Sequence, residues 1–354
     1  MSNKKVHLHI GRPKTGTTSI QTTMHRNRRK LASLGVLYPQ SLPVSQSRFF
    51  VESFALDLTS KPLFRRSKQP LAEILHRVNQ QRIELLEELK LFKGQHILLS
   101  GESGSHQLSR EEIENMKSFF DESCGPNVSY HILLYTRAPD SFAQSCIQQL
   151  VKSNRMTLED AILKVSKGHA GVYRSIYANY ASVFGDAAIE FRSFEVGRAA
   201  PGGLSSDLLR AIGVAPERIY IQDQRRNESL SREVVEFLSW LYVGPRISGV
   251  PPQQGRETRV PVSAQDLKIL KKVKGAPCNF LNPLEQTRLW QRFSDDNQFL
   301  SERFGITYEQ NKTFTHSTTE SPPQALAELD AVRPKLDPHL ADAFDTFLHE
   351  RMMN

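Results

Sequence analysis

The chain has 354 residues, of which 24% are charged and 39% hydrophobic. A chain of this length buries a full hydrophobic core, and its composition excludes a disordered or fibrous protein. No apolar run reaches the length of a membrane span, and the polar start runs directly into the first predicted strand, so we expect neither a signal peptide nor a membrane anchor.

The net charge of +8 favours anionic ligands such as nucleotides and acidic glycans. The basic residues lie in short, scattered clusters and form no aromatic-interleaved stripe, so we expect no nucleic-acid partner. The three cysteines, Cys124, Cys146 and Cys278, are widely spaced and fit no metal-binding pattern. They are typical of reduced thiols, and we therefore expect a cytoplasmic protein without a bound metal.

The chain begins with a predicted strand over residues 6–10, a glycine-bearing turn over 11–19 and a helix from 18 to about 34. Apolar residues at helical spacing define the helix, and Gly35 provides a natural end to it. His7 and His9 alternate with apolar residues along the strand, and we interpret both as strand surface.

Strands and helices continue to alternate as far as residue 191. The further predicted strands are 36–38, 96–100, 128–136 and 187–191, and the helices between them are 70–92, 109–120, 139–150 and 172–183. Residues 41–69 are interpreted as an irregular segment that carries substrate-binding loops. This order predicts an α/β protein with a P-loop-like three-layer fold, in which a mostly parallel central sheet has helices on both faces and binds ligands at the carboxyl ends of its strands.

The second half of the chain predicts mainly helices. We divide the sequence into an α/β core with the ligand site at 1–245, a loop and C-terminal helices that pack on the core at 246–310, and a polar linker with a terminal helix at 311–354. Residues 244–262 are rich in Pro, Gly and Arg and predict a mobile loop.

The turn over residues 11–19 directs backbone N–H groups, the positive end of a helix dipole and the Lys14 ammonium toward one point, which binds a phosphate-like anion. Gly11 and Gly16 have the separation found in the nucleotide-binding P-loop, and Thr18 occupies its final hydroxyl position. Thr17, however, takes the place of the P-loop lysine, while Lys14 precedes the second glycine. A kinase or NTPase without that lysine would lose much of its catalysis, so a related loop with a shifted lysine fits better.

The stretch Pro13-Lys14-Thr15-Gly16-Thr17-Thr18 resembles the 5′-phosphosulfate loop of sulfotransferases that use 3′-phosphoadenylyl sulfate (PAPS). The resemblance implies PAPS as the cofactor and adenosine 3′,5′-bisphosphate as its product. It also implies that Lys14 stabilises charge on the departing phosphate oxygen. The residues that we expect to bind PAPS in this loop are Arg12, Lys14, Thr15, Gly16, Thr17, Thr18 and Ser19.

PAPS carries a separate 3′-phosphate, which calls for a bidentate cation and a hydroxyl donor. Arg137 follows the predicted strand 128–136, and Ser145 lies two turns into the next helix, so both can converge on one phosphate. Arg137-Ala138-Pro139 with Ser145 resembles the 3′-phosphate motif of the same family in residue types and spacing.

Weaker similarity to bacterial sulfotransferases covers 173–195, 227–231 and Asp296-Asn297 with Phe304. The Arg-Lys-Gly loop of cytosolic sulfotransferases has no counterpart, so a phenol or steroid acceptor is not predicted.

Sulfuryl transfer removes a proton from the acceptor, so a general base should face the loop. Glu102, after the strand 96–100, is our first candidate and His106 the second. We therefore predict a PAPS-dependent sulfotransferase whose acceptor is a carbohydrate or glycan hydroxyl, with a lipid or small alcohol as the alternative acceptor. A P-loop-type kinase or NTPase that uses Glu102 to bind magnesium, and a non-catalytic anion-binding protein, are the alternative functions.

Overall fold

The structure is a computed structural model that describes residues 3–65, 67, 69–154, 156–168, 172–219, 230–243, 262–310 and 323–353. Its strands are β1 (Lys5–His9), β2 (Val36–Leu37), β3 (His96–Ser100), β4 (Ser129–Thr136) and β5 (Ile189–Ser193). All pair in parallel in the order β2-β3-β1-β4-β5, so the first strand along the chain lies at the centre of the sheet.

Helices follow every strand. Those in the first half of the chain are α1 (Thr17–Arg26), α2 (Arg28–Ser33), α3 (Ser47–Phe54), α4 (Pro62–Arg65), α5 (Leu71–Leu91), α6 (Gly104–Gln107), α7 (Arg110–Cys124), α8 (Pro139–Asn154), α9 (Leu158–Lys167) and α10 (Tyr173–Phe184). The remainder are α11 (Phe194–Ala199), α12 (Gly203–Ala211), α13 (Arg232–Val243), α14 (Ala264–Leu270), α15 (Pro283–Phe304), α16 (Pro323–Val332) and α17 (Pro338–Met353). Over the part of the chain that is described, no helix combines the length and the apolar content needed to cross a bilayer.

Helices pack on both faces of the sheet. Leu133 and Tyr135 of β4 belong to an apolar cluster with Ile20 of α1 and Leu208 of α12. Phe191 of β5 points to the opposite face, where it makes edge-to-face ring contacts with α10. Because side chains alternate between the two faces of a strand, these contacts place helices above and below the sheet. The predicted α/β three-layer fold with a parallel central sheet is therefore confirmed.

The chain folds into two compact units. The first contains the sheet and comprises Met1–Ala138, Gly171–Gln224 and Ser294–Tyr308. The second comprises Pro139–Ala170, Arg225–Phe293 and Glu309–Asn354, and its core includes the fully buried Ile147, Phe237 and Phe344. The division into 1–245, 246–310 and 311–354 stays a prediction.

The interpretation of His7 and His9 as strand surface is wrong, because both side chains are 0% exposed. In a parallel sheet both faces are covered by helices, so alternation with polar residues does not mark a solvent face. His7 bonds to the imidazoles of its two neighbouring strands, at 2.9 Å to His96 and 3.1 Å to His131, and His131 Nε2 lies 2.7 Å from a carboxylate oxygen of Glu190. One set of neutral tautomers satisfies this whole row, with each ring donating toward Glu190.

Three other segments differ from the sequence prediction. The helix 18–34 is two helices, because Asn27 donates its side-chain amide to the Thr23 carbonyl at 2.8 Å and ends α1. The segment 41–69, predicted to be irregular, contains α3, α4 and a 3₁₀ turn at Leu58–Ser60 among its described residues. The segment 311–354, predicted as a polar linker with one terminal helix, contains the additional helix α16. Of the predicted mobile loop 244–262, residues 244–261 lie outside the described residues.

Carboxylates of α5 and α7 fix the segment 41–69 to the core. Glu88 accepts the backbone N–H groups of residues 40 and 41. Glu112 accepts the N–H of Leu56 at 2.9 Å and forms an ion pair with Lys61 at 2.5 Å. Both partners of that ion pair are largely buried, so the segment is held by more than surface contacts.

We expect the buried histidines to make the protein acid-sensitive. Burial lowers the pKa of His7 to about 2 and that of His9 to about 3. The unfolded chain protonates both near pH 6.5, so it binds more protons than the folded chain as the pH falls from there toward 3. Each histidine should lower the free energy of unfolding by up to about 1.4 kcal/mol per pH unit in that window and by nothing above it. Urea unfolding followed by far-ultraviolet circular dichroism at several pH values between 4.5 and 7.5 measures this slope.

His9→Gln should reduce the slope of the free energy of unfolding against pH by up to about 1.4 kcal/mol per pH unit, the contribution of one proton. The matched control is His76→Gln, because His76 lies exposed on α5 and should leave the slope unchanged. A slope that His9→Gln does not alter would show that His9 is not the acid-sensitive group.

Candidate active site

The loop between β1 and α1 has an unusual backbone. Gly11, Lys14 and Gly16 have φ values of 54°, 69° and 76°, and Lys14 is alone in this among the described non-glycine residues. The Thr15 side chain closes the loop, because its hydroxyl donates to the Arg12 carbonyl at 2.7 Å and accepts the Arg12 N–H at 3.2 Å. Pro13 has no N–H group, and the N–H groups of Arg12 and Thr15 are bonded within the loop, to the Thr15 hydroxyl and the Arg12 carbonyl. The backbone N–H groups that can bind an anion here are therefore those at the start of α1.

Positive φ angles and close contacts both favour glycine at positions 11 and 16. A Cβ atom on Gly11 would lie 2.9 Å from Thr17 Oγ1 and 3.0 Å from Glu102 Cα. A Cβ atom on Gly16 would lie 2.4 Å from a side-chain carbon of Leu204 at the start of α12. Glycine therefore lets the loop approach β3 on one side and α12 on the other.

Helix α1 presents its N-terminus to the loop. Gly16 is the N-cap residue, no side chain caps the helix, and its first turn contains no acidic residue. The N–H groups at the start of a helix have no intrahelical acceptor, and the helix dipole adds positive potential there. Thr17 at this end is 3% exposed, whereas Thr18 is exposed and Ser19 half-buried. The backbone at Thr17 and Thr18 can thus bind an anion without help from the Thr17 hydroxyl, which lies 3.5 Å from the Arg12 carbonyl.

Three cationic side chains gather at this loop. The Arg137 guanidinium, from the end of β4, donates to the Lys14 carbonyl at 2.5 Å and lies over the Phe194 ring at 4.8 Å. The Arg12 guanidinium lies 4.8 Å from the ring centre of Tyr173, the first residue of α10. The structure therefore brings Arg12, Lys14 and Arg137 together, and this cluster suits a ligand with several anionic groups.

Sequence reasoning gave no role to the two aromatic residues that hold these arginines. Tyr173 is fully buried. Its hydroxyl accepts the backbone N–H of Arg137 at 3.0 Å, and its ring packs on the Arg12 guanidinium. Phe194 packs on Arg137. Both lie in the stretch 173–195, whose weak resemblance to bacterial sulfotransferases was the one sequence feature that could have indicated a role for them.

Glu102 lies beside the loop, in the turn that follows β3. Its Cα atom is close to Gly11, and Ser105 donates to its backbone carbonyl at 2.9 Å. Burial raises the pKa of the Glu102 carboxyl above 4.5, and the positive charge of Lys14 opposes part of that rise. A carboxylate with a raised pKa next to an anion site is suited to accept a proton.

His106 lies further along the same turn, on the short helix α6. Its side chain is exposed, and its Nδ1 atom lies 3.2 Å from the Ser105 hydroxyl. Glu102 is the residue of this turn that lies against Gly11 of the loop. The assignment of the base to Glu102 or His106 stays a prediction.

Ser145 lies on α8, which belongs to the second unit, whereas Arg137 belongs to the first. Its convergence with Arg137 on one phosphate stays a prediction. Within the described ranges no three His, Cys, Asp or Glu side chains are grouped as a metal site would require.

We expect Lys14→Ala to raise the pKa of Glu102 further, because the substitution removes the positive charge that opposes the effect of burial. A pH titration of the Glu102 carboxyl carbon by ¹³C nuclear magnetic resonance measures this shift. Lys30→Ala is the matched control, because Lys30 lies exposed on α2 and should leave the titration unchanged. An unchanged or lowered pKa in Lys14→Ala would contradict the electrostatic contact between the two side chains.

Comparison with known proteins adds one similarity. No protein-family model matches the chain, and no curated protein sequence matches it. Among solved structures, the chain is similar to a sulfotransferase from Alicyclobacillus acidocaldarius, with 14% sequence identity, coverage of 87% of this chain and 98% of the other, and a TM-score of 0.43. At this identity and TM-score, the function has to be argued from the residues of the loop and its neighbours.

Proposed function

We propose that this protein is a PAPS-dependent sulfotransferase, which transfers a sulfuryl group from PAPS to a hydroxyl of an acceptor. The observation that carries the proposal is the position of Lys14, in a left-handed backbone conformation at the anion-binding loop, with its carbonyl bound by Arg137. Lys14 follows β1 and Arg137 follows the neighbouring strand β4, so two cationic residues from adjacent strand exits lie near one helix N-terminus that no side chain caps.

The donor set fits a nucleotide with two separate anionic groups. The loop backbone, the N-terminus of α1 and Lys14 form one cationic position, which would hold the 5′-phosphosulfate. Arg137 is fixed by two hydrogen bonds, from its backbone N–H to the Tyr173 hydroxyl and from its guanidinium to the Lys14 carbonyl, so it would hold the 3′-phosphate. Arg12, which packs on Tyr173, adds positive charge beside both.

Each residue has a defined role in the proposed transfer. PAPS, when bound, supplies the sulfuryl group. Glu102 accepts the proton that the acceptor hydroxyl loses as its oxygen bonds to sulfur. Lys14 stabilises the negative charge that develops on the phosphate oxygen as the bond from that oxygen to sulfur breaks and its electron pair stays on the phosphate. Arg137 and the α1 N-terminus hold the donor in line with the acceptor.

A carbohydrate or glycan hydroxyl is the acceptor class that we propose first, since a net charge of +8 favours acceptors that already carry anions. A lipid or a small alcohol is the alternative. Transfer of labelled sulfate from PAPS to a panel of sugars, lipids and small alcohols decides among them.

Removal of the loop lysine should abolish most turnover and leave the fold intact. We expect Lys14→Ala to lower kcat by about 100-fold or more, as loss of one transition-state donor does. Alanine at position 14 keeps the same left-handed backbone demand as lysine, so the thermal unfolding curve should stay close to that of the natural chain. Lys30→Ala is again the control, and a Lys14→Ala variant with a near-normal kcat would refute the role of Lys14.

Arg137→Ala should act mainly on nucleotide binding. Because a hydrogen bond to a charged group contributes about 1.5–3 kcal/mol, its loss should weaken the binding of adenosine 3′,5′-bisphosphate by about tenfold to a hundredfold. Isothermal titration calorimetry with adenosine 3′,5′-bisphosphate and with ATP·Mg²⁺ measures this and also tests the kinase or NTPase alternative. Tighter binding of ATP·Mg²⁺ by the natural chain would overturn the proposal.

Glu102→Gln should remove the acidic limb of the pH–rate profile. The raised pKa of Glu102 predicts that the rate of the natural chain decreases as the pH is lowered through a midpoint above 4.5. Below that midpoint the carboxyl is protonated and cannot accept a proton. The Gln variant should be slow at every pH and lack that midpoint. If Glu102→Gln keeps a near-normal rate, the base assignment passes to His106, and His106→Gln tests it.

A further inference from the structure

The C-terminal part of α15 belongs to the same unit as the sheet, and it carries the adjacent residues Asp296 and Asn297. Asp296 is 2% exposed, and its carboxylate accepts the N–H groups of Tyr173 at 2.8 Å and of Arg174 at 3.1 Å. These are the first two residues of α10, which has no N-cap side chain of its own. A carboxylate from another helix therefore caps α10 and fixes the position of Tyr173.

Tyr173 carries this constraint to the anion site. Its hydroxyl accepts the Arg137 N–H at 3.0 Å, and its ring lies 4.8 Å from the Arg12 guanidinium. Both arginines of the site are thus in direct contact with a side chain whose backbone is held by Asp296.

Asn297 makes a second connection to the same point. Its side chain bonds to both backbone groups of Tyr308, accepting the N–H at 2.9 Å and donating to the carbonyl at 3.0 Å. The Tyr308 hydroxyl then bonds to the Thr136 hydroxyl at 2.7 Å, and Thr136 immediately precedes Arg137. Because the Thr136 hydroxyl also donates to the Arg192 carbonyl at 3.2 Å, it accepts the proton of Tyr308.

We infer that Asp296 and Asn297 are positioning residues for the 3′-phosphate subsite, an inference that rests on the proposed function. Asp296 is connected to the backbone N–H of Arg137 through Tyr173. Asn297 is connected to the Thr136 hydroxyl through Tyr308. The two paths end at consecutive residues of the chain where it leaves β4. They fix the peptide from which the Arg137 side chain extends. Bidentate binding of a phosphate requires that the guanidinium be held within about 0.5 Å of its productive position.

The inference predicts a selective effect. A side chain that only stabilised the fold would weaken the binding of every nucleotide alike. A side chain that positions Arg137 should weaken the contribution of the 3′-phosphate alone. The ratio of the dissociation constant for adenosine 5′-monophosphate to that for adenosine 3′,5′-bisphosphate measures that contribution and requires no turnover.

The experiment determines this ratio by isothermal titration calorimetry for the natural chain and for Asp296→Asn, Asn297→Asp, Tyr173→Phe and Tyr308→Phe. We expect each variant to reduce the ratio by about tenfold, the effect of one lost hydrogen bond to or beside a charged group. Asp295→Asn is the matched control, because Asp295 lies exposed on the same helix and should leave the ratio unchanged. The two tyrosine variants each lose one hydroxyl and decide the question if Asp296→Asn does not fold.

A second measurement tests whether the effect passes through Arg137. In an Arg137→Ala background, Asp296→Asn should reduce the ratio no further, because the group that it positions is gone. The inference is overturned if the ratio is unchanged in the single variants while Arg137→Ala reduces it, or if Asp296→Asn acts equally in both backgrounds. If the natural chain itself does not prefer adenosine 3′,5′-bisphosphate, the proposed function fails instead.

Discussion

The hydrogen bond from the Arg137 guanidinium to the Lys14 carbonyl is the contact on which the site depends. A left-handed backbone at a residue with a side chain costs about 1–2 kcal/mol, so Lys14 keeps that conformation only where its surroundings hold it. A hydrogen bond from a charged donor contributes about 1.5–3 kcal/mol, which is enough to offset this strain. The same bond links the loop after β1 to the end of β4, so the positions of Lys14 and Arg137 depend on each other.

Strand order explains why these groups meet. β1 lies between β3 and β4, with His9 opposite Ser100 on one side and Leu133 on the other, and the Ile10 N–H bonds to the Leu133 carbonyl at 2.9 Å. The chain therefore leaves three neighbouring strands at one edge of the sheet. The strand that carries the loop has the turn of Glu102 on one flank and Arg137 on the other. In the proposed function, the proton acceptor and the cation for the 3′-phosphate therefore lie on opposite sides of the loop.

The sequence predicts the parts of this arrangement that depend on local order. Strand alternation, the glycine spacing of the loop and the positions of Glu102 and Arg137 at strand exits all follow from neighbouring residues. Tyr173 and Tyr308 were missed because their contacts join positions 123 and 172 residues apart along the chain. His7 and His9 were misjudged because a strand covered on both faces hides the polar side that alternation normally exposes.

The shifted lysine has a structural cause in this chain. A P-loop lysine would stand at position 17, but Thr17 is 3% exposed, and its hydroxyl lies 3.5 Å from the Arg12 carbonyl and close to the Gly11 backbone. A lysine there would have to bury its ammonium in a space filled by main chain, which strongly disfavours the charged form. Position 14 lies outside this packing and near Glu102. In the proposed function, the loop backbone binds the nucleotide anion, and its lysine lies on the flank where the acceptor hydroxyl and the base Glu102 would meet.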